Sequence, residues 1–182
     1  VTEVGGGNGA PIAAVLAAPP TVRGVLFDQP HVVSAAAPLL ARAGVADRCR
    51  TVGGSFFDSV PEGGDAYLLR AVIHDWDDEH AVRILARVKS ALREGGRMLL
   101  VERVIAPPGE GRDAKFSDLN MLVGPGGRER TEAEFTRLLE AAGLPLERVR
   151  CRQLQHRPAR PCLIGLRRLG CWLSRGVSVG TT

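Results

Sequence analysis

The sequence lacks any apolar run long enough to cross a membrane. A transmembrane helix needs about 18 or more consecutive apolar residues, and no segment of the 182 residues approaches that length. The N-terminus also lacks the charged, apolar and small-residue segments that make up a signal peptide. We therefore expect no membrane partner and a cytoplasmic location.

Cysteine is scarce and shows no paired spacing. The four cysteines are too few for a disulfide framework and include no C-x-x-C pair. We therefore expect free thiols at Cys49, Cys151, Cys162 and Cys171.

Acidic residues are absent from the last part of the chain. The segment from Arg148 to Thr182 has eight arginines and no Asp or Glu, so these arginines contribute +8 to a net charge of +4 and leave −4 on the rest. Aromatic residues are not interleaved with these arginines apart from Trp172, which argues against a nucleic-acid-binding arm. We favour a shifted reading frame or an extension past a lost stop, and we expect residues 169–182 to be a disordered tail after one domain at residues 1–168.

Apolar runs alternate with helical patterns along the rest of the chain. A hydrophobic content of 45% with 24% charged residues is typical of a globular protein. Alternating strands and helices predict an α/β fold with a doubly wound, mostly parallel sheet. The predicted strands are Val1–Val4, Val22–Asp28, Arg48–Gly53, Asp65–Val72 and Arg97–Val104. The predicted helices are Pro11–Ala18, Val32–Ala43, Glu79–Arg93, Asp113–Val123 and Thr131–Ala142, the last opened by a T-x-x-E capping box. Leu146–Leu154 and Cys162–Leu166 are expected to form a C-terminal antiparallel hairpin.

A glycine-dense loop follows the first strand. Glu3, Gly5, Gly7 and Gly9 form an E-x-G-x-G-x-G pattern between a strand end and a helix start, where backbone can approach a ligand closely. Asp28 ends the next strand, where a carboxylate can accept both ribose hydroxyls. The loop also fits the dinucleotide fingerprint G-x-G-x-x-[G/A], so NAD(P) is a second possibility.

Histidine and acidic residues cluster after the fourth strand, at the sheet edge where α/β folds bind ligands. The segment runs from Arg70 through His74, Asp75 and Trp76 to His80. It lacks the i, i+4 histidine spacing that would converge on one ion, so we expect no metal. His74 is either a structural histidine or a base for a hydroxyl proton.

Several strings together resemble one family of enzymes. They look like successive signatures of S-adenosylmethionine-dependent O-methyltransferases of the caffeate, chalcone, acetylserotonin and anthracycline type. The strings are Phe27-Asp28-Gln29-Pro30-His31-Val32-Val33, Val72-Ile73-His74-Asp75-Trp76, Val101-Glu102-Arg103 and Gly126-Gly127-Arg128-Glu129-Arg130-Thr131. The resemblance spans about Glu3 to Gly143. It implies a class I methyltransferase Rossmann-like sheet, with residues 1–168 as the catalytic domain.

The resemblance also implies site roles. His74 is the expected general base, with Glu102 and Glu129 on either side of its imidazole. The expected cofactor is S-adenosylmethionine, held by Glu3, Gly5, Gly7, Gly9, Asp28, Ser55, Phe56, Arg70 and Trp76. Met121 and Asp75 are expected to contact the acceptor, a small molecule with a phenolic hydroxyl.

The sequence departs from the family pattern at three places. Ser55 stands where relatives carry an acid that binds the adenine amino group, so we expect weaker cofactor binding. Members of the family form homodimers through an N-terminal helical domain. We expect this domain to be missing, because the chain begins at Val1 directly on the first strand. The acceptor site would then be half open. The third departure is the arginine-rich end.

Two alternatives remain beside the O-methyltransferase. A truncated, non-catalytic remnant could still bind the cofactor. An NAD(P)-dependent oxidoreductase would need a catalytic Tyr-Lys or comparable pair, and Tyr67, which is the one tyrosine, lies in mid-strand.

Overall fold

The computed structural model describes residues 1–106, 112–124, 126–150 and 162–167, with only the backbone described for residues 112–115. The predicted tail at 169–182 and the predicted strand residues 151–154 lie outside these ranges.

A seven-stranded sheet forms the centre of the fold, in the order β3-β2-β1-β4-β5-β9-β8. The pairs β1/β2, β2/β3, β1/β4 and β4/β5 are parallel, and β9 runs antiparallel to both β5 and β8. This confirms the doubly wound, mostly parallel sheet with a C-terminal antiparallel hairpin. The strands are β1 Thr2–Val4, β2 Gly24–Asp28, β3 Cys49–Gly53, β4 Gly64–Arg70, β5 Leu92–Glu102, β6 Val104–Ile105, β7 Arg130–Thr131, β8 Leu146–Arg150 and β9 Cys162–Arg167.

Helices pack on both faces of the sheet. They are α1 Ala10–Ala17, α2 Pro30–Val33, α3 Ala37–Arg42, α4 Asp78–Ala91, α5 Arg112–Val123 and α6 Glu132–Ala141. The helix predicted over Val32–Ala43 is instead two short helices, because Pro38 lies in the first turn of α3. Proline lacks the backbone N–H that a helix interior requires but is well tolerated at a helix start.

Neighbouring residues of one strand pack into two separate hydrophobic cores, one on each face of the sheet. Side chains alternate along a strand, so Leu26 packs with Ile12, Leu16 and Leu40 of α1 and α3. Phe27 faces the opposite side and joins the larger core that α4 and α6 cover. The strands are therefore buried on both faces, as the apolar runs predict.

The strand β5 begins five residues earlier than predicted. The helix α4 ends at Ala91, and Leu92 already pairs with Gly64 of β4, with an irregularity in register before Ala66. Gly95 has a positive φ of 73° within this strand. The two glycines at 95 and 96 accordingly accommodate a local irregularity in the strand rather than forming a loop.

Cys162 corrects one expectation from the sequence. Cys49 is a free, buried thiol as expected, whereas Cys162 is disulfide-bonded. Spacing along the chain does not reveal this bond, because cysteine pairing depends on which strands the fold brings together.

A two-stranded parallel pair, β6 with β7, joins two segments beside the main sheet. Val104 pairs with Arg130 and Ile105 with Thr131. This pairing brings the end of β5 next to the residues that precede α6. Among the described residues, none of the helices combines the length and the hydrophobicity needed to cross a membrane.

Candidate active site

His74 lies in a tight turn directly after β4. Ala71 adopts a φ of 56°, rare for a residue with a side chain, and a 3-10 turn follows over Ile73–Asp75. Such strained backbone is often found at functional sites. The turn places His74, with a side chain 16% exposed, beside the end of β5.

Glu102, the last residue of β5, fixes the imidazole of His74. Its Oε2 lies 2.7 Å from His74 Nδ1, and its Oε1 accepts the backbone N–H groups of Val72 at 3.0 Å and Ile73 at 2.8 Å. Since Glu102 is buried and acts here as an acceptor, Nδ1 carries the proton. The Nε2 atom of His74 therefore has a free lone pair, which is the form a proton acceptor needs.

The surroundings of His74 raise its pKa above the ordinary value of 6.5. Burial alone lowers it, but the hydrogen bond and negative charge of Glu102, with Glu129 and Asp75 further away, outweigh the burial. Asp75 Oδ1 lies 3.4 Å from Nε2. The imidazolium form is thus favoured by several carboxylates, which strengthens His74 as a base.

Glu129 approaches the same place from the segment before β7, but its hydrogen bonds differ from those of Glu102. Its Oε1 accepts the hydroxyl proton of Ser117 at 2.7 Å, and its backbone N–H donates to Asp118 Oδ1 at 2.9 Å. Arg103 in turn donates to the Ser117 oxygen. Burial raises the pKa of Glu129, although the Ser117 hydrogen bond opposes this.

His74, Glu102 and Glu129 converge closely enough to resemble a metal site. Each offers one ligand atom, and these atoms lie within 4.8 Å of one another. Both carboxylate oxygens of Glu102 are already engaged by N–H groups of residues 72–74. The geometry therefore favours a carboxylate-imidazole pair over a metal-binding set.

Arg130 belongs to the string Gly126–Thr131 that resembles the family, but the sequence alone predicts no role for it. Its side chain is fully buried, and the guanidinium donates to the carbonyls of Ile73 at 3.0 Å and Trp76 at 2.8 Å and to Asp78 Oδ1 at 2.9 Å. A third carbonyl, that of Arg128, lies at 3.3 Å. Arg130 thus connects the turn that carries His74 to the segment that carries Glu129.

Gly127 is a second residue of the site for which the sequence alone predicts no role. A Cβ at this position would lie 2.0 Å from the carbonyl oxygen of His74, and the N–H of Arg128 donates to that oxygen at 2.8 Å. The two segments therefore touch backbone to backbone. The double glycine before Arg128 is the sequence signal for such a close approach.

A pocket of about 300 Å³ opens beside these residues. It is lined by Arg70, Ala71, His74, Val101, Glu102, Arg103, Ser117, Met121 and Glu129. The structure thus brings Met121 to the same pocket as His74, where the sequence expects the acceptor. Arg70, expected on the adenine side, lines this pocket too.

The glycine loop lies next to this turn, at the carboxyl end of β1. Gly5, Gly7 and Gly9 all have positive φ, and Asp28 Oδ2 accepts the N–H of Gly7 at 2.8 Å. A Cβ on Gly5 would approach Val72 to 2.8 Å, so the loop packs against the segment leading to His74.

Glu3 lies beneath the glycine loop rather than on its surface. Its side chain is buried and accepts the Ile12 N–H at 3.1 Å, at the start of α1. Burial raises the pKa of Glu3 to about 7, despite that hydrogen bond. Glu3 accordingly supports the loop from below.

An aromatic cluster lies beside the glycine loop, where a Cβ on Gly5 would come within 3.8 Å of the Phe56 ring. Phe56, Phe57 and Trp76 pack edge to face, with ring centroids 4.7 to 6.0 Å apart. Ser55 opens this segment, and its hydroxyl oxygen accepts the Phe57 N–H at 3.2 Å. A glycine loop, the Asp28 carboxylate and half-buried aromatic rings are features that suit the binding of a nucleoside-containing cofactor.

The family model described as "O-methyltransferase domain" matches residues 1–145, which include all of these site residues. The chain belongs to this O-methyltransferase family. Its membership removes the NAD(P)-dependent oxidoreductase alternative. Consistently, the Tyr67 hydroxyl bonds within the core, donating to the Ala91 carbonyl at 3.0 Å.

Relatives within the O-methyltransferase family act in natural-product biosynthesis. The chain is 48% identical to phenazine O-methyltransferase PhzM of Lysobacter antibioticus, over 82% of this chain and 44% of the relative. It is 41% identical to 8-amino-8-demethylriboflavin N,N-dimethyltransferase of Streptomyces davaonensis, over 79% of this chain and 42% of the relative. The chain spans less than half the length of these curated relatives.

A solved structure of the family shows the same fold with ligands bound. It is an O-methyltransferase of neocarzinostatin biosynthesis in complex with S-adenosylmethionine and 2-hydroxy-5-methyl naphthoic acid. The TM-score is 0.79 at 34% identity, over 91% of this chain and 48% of that one. The fold of this chain is therefore that of class I methyltransferases.

Proposed function

We propose that this chain is the catalytic domain of an S-adenosylmethionine-dependent O-methyltransferase that methylates a phenolic hydroxyl of a small natural product. The observation that carries the proposal is the buried Glu102 carboxylate 2.7 Å from His74 Nδ1. This hydrogen bond leaves the Nε2 atom of His74 able to accept a proton at the pocket that His74 and Met121 line.

The glycine loop, Asp28 and the aromatic cluster would hold S-adenosylmethionine. When bound, the cofactor supplies a methyl group on a positively charged sulfur. The loop would bring backbone close to the cofactor, Asp28 would accept its ribose hydroxyls, and Trp76 would pack against its adenine. These residues would hold the cofactor beside the turn that carries His74.

His74 would remove the hydroxyl proton of the acceptor at Nε2. The imidazolium that forms is stabilised by Glu102, which accepts a hydrogen bond from the Nδ1–H group throughout. His74 thereby removes the proton of the acceptor hydroxyl, and the proximity of acceptor and cofactor provides most of the remaining rate enhancement.

A further protein surface would complete the acceptor pocket. Phe116, Leu119, Leu122 and Val123 of α5 are 58% to 85% exposed, next to the pocket residues Ser117 and Met121. Exposed apolar side chains concentrated on one helix are typical of an interaction surface. We expect the isolated chain to bind cofactor while turning over slowly, and we retain the homodimer typical of the family as part of the proposal.

Calorimetry and a methyl-transfer assay test the proposal. We expect S-adenosylmethionine to bind the chain and labelled methyl to appear on phenols in a single-turnover assay. His74→Gln should abolish transfer with little change in cofactor affinity. The control His31→Gln makes the same change at an exposed position of α2 and should alter neither.

Three outcomes would redirect the proposal. Binding without any transfer indicates the non-catalytic remnant, and no binding contradicts the proposal outright. Faster transfer to anilines than to matched phenols would favour an amine acceptor, in line with the N-methylating relative.

A further inference from the structure

Glu3 places a buried carboxyl group directly beneath the backbone of the glycine loop. Its side chain is 1% exposed, and a Cβ added to Gly6 of this loop would lie 2.8 Å from Glu3 Oε2. The same oxygen accepts the N–H of Ile12 in the first turn of α1, at 3.1 Å. The carboxyl group therefore contacts the inner side of the loop that would hold the cofactor.

Glu3 has no cation beside it that would stabilise its charged form. Within the part of the chain that the structure describes, it makes no ion pair. The helix α1 that packs over it carries no charged residue, and Cys49 of β3 is a thiol whose pKa is raised by burial. Arg70 of β4 and Asp28 of β2 act on Glu3 only at a distance and in opposite directions. A carboxyl group buried in this way favours its neutral form, and burial raises the pKa of Glu3 to about 7.

The cofactor and its product differ by one charge. S-adenosylmethionine carries a positive charge on its sulfur, whereas the sulfur of S-adenosylhomocysteine is neutral. A positive charge near a neutral carboxyl group favours loss of the proton. An ordinary glutamate with a pKa near 4.5 is already ionised at neutral pH and could not respond, whereas Glu3 can.

We propose that Glu3 loses its proton to solvent when the cationic cofactor binds and takes a proton back when methyl transfer leaves the sulfur neutral, so that the glycine loop prefers S-adenosylmethionine to S-adenosylhomocysteine. The inference rests on the proposed function and concerns only the choice between cofactor and product. Glu3 acts across the backbone of the loop and touches neither of them.

Calorimetry of both ligands in two buffers of different ionisation enthalpy, phosphate and Tris, counts the protons that binding releases. About half of Glu3 is protonated at a pH equal to its pKa of about 7. At that pH, S-adenosylmethionine should therefore release up to about half a proton more than S-adenosylhomocysteine. The preference for S-adenosylmethionine should rise about ten-fold between about pH 5.5 and 8, which corresponds to a change of about one unit in the pKa of Glu3.

Glu3→Gln should abolish the difference in proton release between the two ligands. Its amide keeps the size of the side chain and an oxygen for the Ile12 N–H, but it has no proton to lose. The matched control is Glu62→Gln, the same change at an exposed position, and it should keep the wild-type difference. His74→Gln removes a second titrating group near the loop, since the pKa of His74 is also raised. The part of the difference that depends on Glu3 should persist in this variant.

The outcomes separate this inference from the proposed function. Equal proton release by the two ligands in wild type overturns the inference, although binding of both still supports the proposed cofactor site. An unchanged difference in Glu3→Gln also overturns it, because another group would then supply the proton. If neither ligand binds, the proposed function fails together with the inference. If Glu3→Gln does not fold, His74→Gln decides the matter: a difference of about half a proton supports the inference, and a difference near zero overturns it.

Discussion

Replacing Arg130 with methionine should destabilise the chain and disturb His74 together. Methionine fills a similar length but leaves the carbonyls of Ile73 and Trp76 without their donors. An unpaired buried group costs about 1–3 kcal/mol. The Asp78 carboxylate is 61% exposed and stays hydrated, so its loss adds little. We expect a loss of about 2–4 kcal/mol in the free energy of unfolding.

Urea denaturation followed by circular dichroism measures this loss, and Arg128→Met is the matched control. Arg128 lies two residues away but is 44% exposed, with ion pairs to Asp78 and Glu134 at the surface. Exposed ion pairs contribute at most about 1 kcal/mol. Equal losses in the two variants would refute the idea that Arg130 holds the turn.

Arg130→Lys provides a functional readout within the same experiment. Lysine keeps the charge but lacks the planar fork that reaches two carbonyls and a carboxylate at once. We expect the imidazole of His74 to move relative to Glu102 and its pKa, followed by NMR, to shift toward 6.5. A wild-type titration curve in this variant would show that Arg130 contributes stability alone.

Three further predictions concern single acidic or polar positions. Glu102→Gln should lower the pKa of His74 measured by NMR, because it removes the hydrogen bond and charge that raise it; an unchanged pKa would mean that Glu102 does not control the base. Glu3 is protonated in the folded chain and ionised in the unfolded chain between pH 4.5 and about 7, so stability should fall as pH rises through that window, by about 3 kcal/mol from this residue. Glu3→Gln should remove this fall in the free energy of unfolding, measured by urea titrations at several pH values. The control Glu62→Gln, at an exposed position, should keep the fall. An equal dependence of stability on pH in the two variants would contradict its assignment to Glu3. Ser55→Asp should tighten S-adenosylmethionine binding about five-fold in calorimetry, since a charged acceptor binds the adenine amino group more strongly; an unmoved dissociation constant would refute it.

Local patterns in the sequence were sufficient to predict the order of the seven strands of the main sheet, whereas the two-residue strands β6 and β7 were not predicted. Buried strands are short apolar runs, and helix ends carry local signals, so the capping box of Thr131 and Glu134 is present as predicted. The same local information failed at α2 and α3, where Pro38 divides one apolar pattern into two helices. It also failed at Leu92, because pairing with Gly64 of another strand determines where β5 begins.

Some features of the candidate site can likewise be predicted from the sequence, whereas others cannot. The position of His74 after a strand and the acidic interruption of an apolar strand at Glu102 are visible in the sequence, and the two side chains meet at 2.7 Å. The hydrogen bonds of Glu129 cannot be predicted from the sequence, because Ser117 lies 12 residues earlier on helix α5, whereas Glu129 lies in the segment before β7. Nothing in the order of residues shows which of two nearby acids bonds the imidazole.

The sequence by itself determined the α/β class, the glycine loop and the histidine at the strand end, because each depends on residues that are neighbours in the chain. Only the tertiary structure decided that Arg130 is buried against residues 52 to 57 positions away, that Cys162 is disulfide-bonded and that one oxygen of Glu129 is left unpaired. These features depend on distances between side chains of separate elements. Such distances are set by how strands and helices pack, and no spacing along the chain encodes them.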